Sequence, residues 1–175
     1  MEARARPGMS TGGGPNDPSS IPLATRRKRW ILNRQRQEIP PGKRRAIDAR
    51  WSSAHPDARL RSSATATYNC VAMVFASRRT WVNTDQIAAI LSDDGYKKVD
   101  EFHHIDIGDL VTYHDNADGG VTHIGIIMAH QRMPDGGQHA IEVMSKWGAA
   151  GEYLHKLEDV PDDYGEAAHF WTDRR

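Results

Sequence analysis

The sequence YNCVAMVF, at residues 68–75, decides how the chain is interpreted, because it contains the only cysteine among 175 residues. A polar run precedes it at residues 61–67, and the apolar residues that follow Cys70 are sufficient for two helical turns. A thiol at the start of a helix lies near the positive end of the backbone dipole, which favours the thiolate. The alternative is a buried structural cysteine, since free cysteine is among the most buried residue types. The remaining sequence has to decide between the two.

Length and composition indicate one ordinary domain with an additional arm. The chain is 38% hydrophobic and 26% charged, and it contains no run of about 18 apolar residues, so we expect no membrane span. A single cysteine excludes an intramolecular disulfide. The first residues, MEARARPG, are charged and lack the apolar centre of a signal peptide. We therefore expect a cytoplasmic protein, or one exported by machinery that needs no cleavable signal.

The net charge of zero conceals a strong asymmetry along the chain. Residues 1–61 contain 14 Lys and Arg against 5 Asp and Glu, a net charge of +9, whereas residues 62–175 contain 9 against 18, a net charge of −9. A basic arm can bind nucleic acid, an acidic partner such as a chaperone or an immunity protein, or the acidic body of its own chain. We favour a solvated arm, or one that packs Trp30 and Trp51 onto the body, over contact with nucleic acid.

The first half of the sequence predicts an arm followed by helices. Residues 1–24 are rich in Gly, Pro and Ser and are predicted to be disordered. Short basic helices are predicted over residues 25–37 and 43–51. A further helix is predicted over residues 84–91, with Thr84 as its N-cap and Gly95 closing it.

The second half predicts antiparallel strands. Periodicity and turn residues place them at residues 96–102, 107–114, 121–128, 140–145, 152–157 and 167–171, with a hairpin turn at residues 133–137. Helices followed by a run of strands are typical of an α+β domain. We assign residues 1–60 to a basic, partly disordered arm, and residues 61–175 to a domain with helices packed on an antiparallel β-meander.

A cysteine nucleophile requires a base within hydrogen-bond reach and a third group that orients the base. Among nine histidines, His123 is distinctive because it opens the apolar strand ending at Met128, with Gly125 two residues further on. An imidazole at the start of a buried strand is a common position for a site residue. A surface histidine is the alternative on position alone.

Three motifs together resemble the papain-like NlpC and CHAP hydrolases. They are Asn69-Cys70 at a helix start, GDLVTY at residues 108–113 and THIGI at residues 122–126. Those families have a (D/N)-C helix start, a G-D-L-V-x-(F/Y) strand and a strand beginning H-(V/I)-G-I, in this order. The chain also resembles an uncharacterised bacterial branch of the group with Y-N-C, T-H, S-K-x-G and Y-G motifs, matched at residues 68–70, 122–123, 145–148 and 164–165. The resemblance covers about residues 65–172.

The resemblance implies a papain-like core in which Cys70 is the nucleophile and His123 the general base. Backbone N–H groups at the start of the Cys70 helix would then stabilise the oxyanion. Tyr68 and Asn69 are further candidates for orienting or oxyanion contacts.

The residue that orients His123 is left open by the sequence. Counting equal arms from a hairpin turn near residues 134–135 places His123 opposite Ser145, which we prefer. Glu142 is the stronger partner for an imidazolium, but it lies three positions from Ser145 and therefore on the opposite face of an undistorted strand. His139 is a third candidate, and His155 could enter from the C-terminal part of the chain.

The expected function is that of a cysteine peptidase or amidase that hydrolyses an amide bond in a peptide, a cell-wall stem peptide or a protein. Delivery as a bacterial toxin or effector would reconcile a cell-wall substrate with the absence of a signal peptide. The alternative is a catalytically silent binding module on the same fold. No cofactor is expected, and no metal site, because the adjacent His103 and His104 would face opposite ways on a strand.

Overall fold

The structure is a computed structural model that describes residues 13–132 and 139–174. The helices are α1 (Pro41–Ala54), α2 (Cys70–Phe75) and α3 (Ile87–Asp94). The strands are β1 (Asn33–Arg34), β2 (Arg59–Ser62), β3 (Trp81–Val82), β4 (Lys97–Val99), β5 (Leu110–His114), β6 (Val121–Arg132), β7 (His139–Lys146), β8 (Glu152–Lys156) and β9 (Glu166–Thr172). Short 3-10 helices cover Thr84–Gln86, Phe102–His104 and Asp162–Tyr164.

Seven of the strands form one antiparallel sheet in the order β2-β8-β7-β6-β5-β9-β4. The remaining two strands, β1 and β3, pair with each other outside it. The α+β class and the antiparallel sheet predicted from the sequence are confirmed. Within the described parts of the chain, no helix is both long and apolar enough to cross a membrane.

Core residues pack on both faces of the sheet. Successive side chains of its central strands point to opposite faces, so each strand contributes to two core clusters. Leu110 and Ile124 pack with α2 and α3 in one core cluster. Val111 and Ile127 pack in a second cluster with residues of the segment that joins β8 to β9. The polar side chains of His123 near the start of β6 and of Ser145 and Lys146 at the end of β7 are buried.

The predicted strands agree with the structure except at the edges. The segment predicted at residues 96–102 shortens to β4, which its Lys97-Lys98 pair leaves exposed at the edge of the sheet. The predicted hairpin turn at residues 133–137 lies outside the described residues.

The helix predicted over residues 25–37 is wrong. This segment instead makes a tight turn, with Lys28 at φ 65° and Ala24 bridging to Trp30, and then continues as β1. Asn33 decides the outcome, because its buried side chain bonds to the backbone of Ile21 and Ile31 and to the Thr80 hydroxyl. The helix predicted over residues 43–51 forms as the longer α1. The helix predicted from Thr84 begins as a 3-10 turn without a side-chain cap, and Gly95 closes α3 at φ 81°.

Part of the arm packs on the body, and Leu23, in a segment for which composition predicts disorder, packs against the core cluster that contains α2. The Arg29 Nε lies 2.7 Å from Asp93, whose carboxylate also accepts from Thr25 at 2.9 Å. Arg26 donates to the backbone and side chain of Asp94. These contacts give the arm partners that its composition alone does not reveal. They also show that some of its positive charge faces the acidic body.

Candidate functional site

Cys70 is the first residue of α2, and Asn69 explains why the helix begins there. The Asn69 Oδ1 accepts hydrogen bonds from the backbone N–H groups of Ala72 and Val82, both at 3.3 Å. Its Nδ2 donates to the Val82 carbonyl at 2.5 Å. Asn69 therefore serves as an N-cap and also fixes the start of α2 against β3. This confines its amide to a positioning contact.

The Cys70 thiol is buried, with 4% of the residue exposed. Burial raises the pKa of this thiol to about 11, while hydrogen bonds from the backbone N–H groups of Ile124 and Val71 and the charge of Lys146 act in the opposite direction. The sulfur thus lies among groups that stabilise negative charge, inside an environment that keeps it protonated at neutral pH.

Lys146 is a buried ammonium whose charge acts on the pKa of Cys70, and sequence reasoning did not single it out as a site residue. Its Nζ donates to the carbonyls of Thr65, Gly148 and Ala150 at 2.9, 2.7 and 2.5 Å. Burial lowers the pKa of Lys146 to about 8. The side chain connects the segment before Cys70 to the turn after β7.

Tyr68 belongs to a polar network built around the buried carboxylate of Glu152. Its hydroxyl donates to Glu152 at 2.7 Å, and Arg78 binds the same carboxylate at 2.6 and 3.1 Å. Burial acts to raise the pKa of Glu152, but these hydrogen bonds hold it below its usual value. Tyr68 therefore has a structural partner of its own, and the network fixes the loop before Cys70.

His123 is fully buried and has an unusual environment. Its ring stacks on Tyr164, with centroids 4.0 Å apart and planes 6° apart, and it lies 5.5 Å from the Tyr113 ring. Among the described residues, neither of its ring nitrogens has a hydrogen-bond partner. Burial, and to a lesser degree His155, lowers the pKa of His123 well below its usual value. The imidazole is therefore neutral at pH 7.

The expected hydrogen bond between Cys70 and His123 is not made in this structure. The Ile124 side chain packs in the same cluster as Cys70, whereas the preceding His123 ring packs between Tyr113 and Tyr164. Alternation along β6 separates the two side chains in this way. The residue of β6 that packs with Cys70 is Ile124, one residue after the imidazole.

Ser145 does not orient His123, contrary to the preferred prediction. Its Oγ lies 2.7 Å from the His155 Nε2 and accepts from the Trp147 Nε1 at 3.0 Å. The His155 Nδ1 lies 2.7 Å from the Lys156 carbonyl, which can only accept, so Nε2 is the acceptor and Ser145 donates to it. The register also differs from equal-arm counting, because Ile126 pairs with Met144 and the same register places Gly125 opposite Ser145.

The second candidate for orienting His123 is engaged elsewhere. Glu142 is half-exposed, and its carboxylate lies 3.3 Å from Arg59. A bulge between Ile127 and Ala129 shifts the pairing of β6 with β7 close to Glu142. His139 begins β7, and its side chain lies outside the described part of the structure.

The S-K-x-G and Y-G motifs lie near Cys70 and His123. Gly148 adopts φ 57°, and a Cβ there would lie 3.6 Å from the Tyr164 hydroxyl. The Tyr164 ring covers His123, and the Thr122 hydroxyl bonds to the Tyr164 carbonyl at 2.5 Å. The S-K-x-G and Y-G segments therefore build the surroundings of Cys70 and His123, although periodicity and spacing gave no indication of it.

A separate cavity of about 560 Å³ opens near the end of β5. Its lining includes Tyr113, Glu158, Asp162 and Glu166, but neither Cys70 nor His123. It is therefore not the route by which a substrate would reach the sulfur in this conformation.

The fold and site define an α+β protein with a buried cysteine at a helix start and, on the adjacent sheet, a buried histidine that has no hydrogen-bond partner among the described residues. The chain belongs to a family described as a domain of unknown function, DUF7689, whose match spans residues 59–172. Neither a curated protein nor a solved structure matches the chain.

Proposed function

We propose that the chain is a cysteine peptidase or amidase in which Cys70 is the nucleophile and His123 the general base. One observation carries this proposal: His123, which precedes the Ile124 that packs with Cys70, is a buried imidazole whose two ring nitrogens have no hydrogen-bond partner among the described residues. Buried polar groups in native proteins are nearly always hydrogen-bonded, so an orphaned imidazole calls for a functional explanation. A base that awaits a proton provides one.

In the proposed reaction, the proton moves during the attack rather than before it, because burial keeps both groups uncharged. The attack requires a rearrangement at the start of β6 that brings the imidazole to the sulfur, because strand alternation separates the two side chains in this structure. The Cys70 sulfur then bonds to the amide carbonyl carbon while its proton passes to His123, and backbone N–H groups at the start of α2 hold the oxyanion. Collapse of this intermediate expels the amine, which takes the proton from His123. Water then hydrolyses the thioester and releases the acid and the thiol.

The finer fold assignment is a papain-like core of the NlpC type. It is supported by the order of the elements, in which a cysteine-bearing helix precedes an antiparallel sheet and the histidine lies near the start of a central strand. The substrate class is a peptide, a cell-wall stem peptide or a protein. A role as a bacterial toxin or effector is part of the proposal, as is an acidic partner for the arm.

A catalytically silent binding module on the same fold is the second candidate. It is favoured by the burial of Cys70 and His123 and by the engagement of Ser145 with His155. In that case the thiol and the imidazole remain buried and take no part in a reaction.

Cleavage of a peptide library and of purified cell-wall stem peptides, followed by mass spectrometry, tests the proposal. We expect the wild type to generate new termini, and Cys70→Ala and His123→Gln to generate none. His114→Gln, on the neighbouring strand β5, is a matched control that should cleave like the wild type. If no new termini appear with the folded wild type, the binding module replaces the hydrolase.

Alkylation of the native protein by iodoacetamide separates the two candidates independently of the substrate. The hydrolase requires openings that admit a small molecule, so Cys70 should be labelled without denaturant, and more slowly in His123→Gln than in His114→Gln. Labelling that requires urea would contradict the hydrolase and support the silent module.

A further inference from the structure

Glu101, His103 and His104 form a compact cluster between β4 and β5. All three side chains are exposed, and one potential ligand atom from each lies within 4.8 Å of the others. The cluster lies outside the Cys70 region. Among the described residues, this is where three or more His, Cys, Asp or Glu side chains bring ligand atoms this close together.

The local backbone brings the two adjacent imidazoles to the same side. On a strand they would point to opposite faces, which is the geometry predicted from the sequence. Residues Phe102–His104 instead form a 3-10 helix, and the ring centroids of His103 and His104 lie 4.0 Å apart. The correction follows from the chain turning immediately after the short strand β4.

The turn is anchored on both sides, so the cluster is held in place. The His104 N–H donates to the Glu101 carbonyl at 2.9 Å, and Arg174 donates to the His104 carbonyl at 2.9 Å. The Phe102 ring packs edge-on against Phe170 at 5.3 Å. Arg174 introduces a positive charge nearby, but this charge is paired with the carboxylates of Asp106 and Asp109.

We propose that this cluster binds a divalent transition-metal ion of the Zn²⁺ class through two imidazole nitrogens and one carboxylate oxygen. The His103 Nε2 lies 3.1 Å from the Glu101 Oε2. Ligands at about 2.0–2.1 Å from a tetrahedral zinc ion are separated by about 3.3 Å, so this pair already has nearly the required spacing. Two imidazoles and a carboxylate suit Zn²⁺, Ni²⁺ or Cu²⁺ better than Mg²⁺ or Ca²⁺. Water completes the coordination.

Titration of the full chain with ZnCl₂ by calorimetry, with ¹⁵N-detected imidazole resonances as a second readout, tests the site. We expect one ion per chain and zinc-dependent shifts of the His103 and His104 resonances. His103→Ala and His104→Ala should each weaken binding at least tenfold, since even the loss of a supporting contact costs about 10–100-fold in metal affinity. MgCl₂ should not compete.

The controls exploit neighbouring residues. Asp100→Asn changes the exposed carboxylate beside the cluster and should bind zinc like the wild type, whereas Glu101→Gln should weaken binding. Cys70→Ser should also retain full affinity, which separates this site from the thiol. If the histidine variants bind zinc as tightly as the wild type, or if Cys70→Ser abolishes binding, the site is refuted and Glu101 is merely an ion-pair partner of His103.

Discussion

Cys70 has an ionisation equilibrium that is linked to folding. Burial raises the pKa of its thiol from 9.0 to about 11 in the folded chain, so the unfolded state releases this proton first as the pH rises. The contribution to stability is fully present below pH 9 and is lost as the pH approaches 11. We expect the difference in unfolding free energy between the wild type and Cys70→Ala to shrink by about 2 kcal/mol between pH 7 and pH 10.5.

Urea unfolding of the two proteins at both pH values measures this shift. Cys70→Ser provides a second reference, because its hydroxyl does not ionise in this range. A difference that stays constant with pH would show that the folded thiol titrates normally, and would contradict the buried environment described for the sulfur.

For individual residues, the sequence could indicate which side chains are able to act as nucleophile or base, but not which other residues they contact. Cys70 and His123 follow from residue type and position, although alternation along β6 turns the two side chains away from each other. The partners of Ser145 could not be predicted, because its contact with His155 depends on the register of β7 with β8 as well as on side-chain rotamers. Lys146 was missed because a lysine buried against three carbonyls has no periodic signal in the sequence.

The pairing of β6 with β7 depends on a glycine in the centre of the sheet. A Cβ added at Gly125 would lie 2.4 Å from the Val143 Cγ1 and 3.3 Å from the Ser145 Cβ. We therefore expect Gly125→Ala to lower the unfolding free energy by roughly 1–3 kcal/mol through overpacking. Thermal and urea denaturation measure the change.

Gly42 is the matched control for this substitution. It is exposed in the first turn of α1, and a Cβ there meets nothing within 4 Å. Gly42→Ala should leave stability unchanged or raise it by up to about 1 kcal/mol, because alanine favours a helix over glycine. Equal losses in the two variants would mean that the close approach at Gly125 is relaxed at little cost.

The elements show where pattern reasoning succeeds. The strands β5 to β9 were predictable because alternation, β-branched residues and turn residues all point to the same structure. The segment at residues 25–37 was not, because its helix propensity is outweighed by long-range bonds from Asn33 and Asp93 that no local pattern contains.

Over the whole molecule, the separation of positive arm from negative body has a direct physical consequence. Arg29 and Thr25 bind Asp93, and the turn they stabilise lets Ile31 pack in the same cluster as the Cys70 helix. Charge asymmetry that could have served an external partner is thus partly used within the chain. The arm covers the element that carries the proposed nucleophile, so its attachment bears on access to the site.

We expect Asp93→Asn to loosen this attachment, because the amide cannot pair with the Arg29 guanidinium. Hydrogen exchange of residues 23–31, which bond to one another through Thr25, Lys28 and Ile31, should accelerate relative to the wild type.

Arg29 holds the pKa of Asp93 below its usual 3.8, so the contact is present above pH 3.8 and is lost as the pH falls through the lower folded value. Corrected for intrinsic rates, exchange in the wild type should approach that of the variant in this acidic range. Asp57→Asn, at an exposed aspartate on the surface, should exchange like the wild type at every pH. Unchanged protection of residues 23–31 in Asp93→Asn would mean that Asn33 and Ile31 hold the arm without the ion pair.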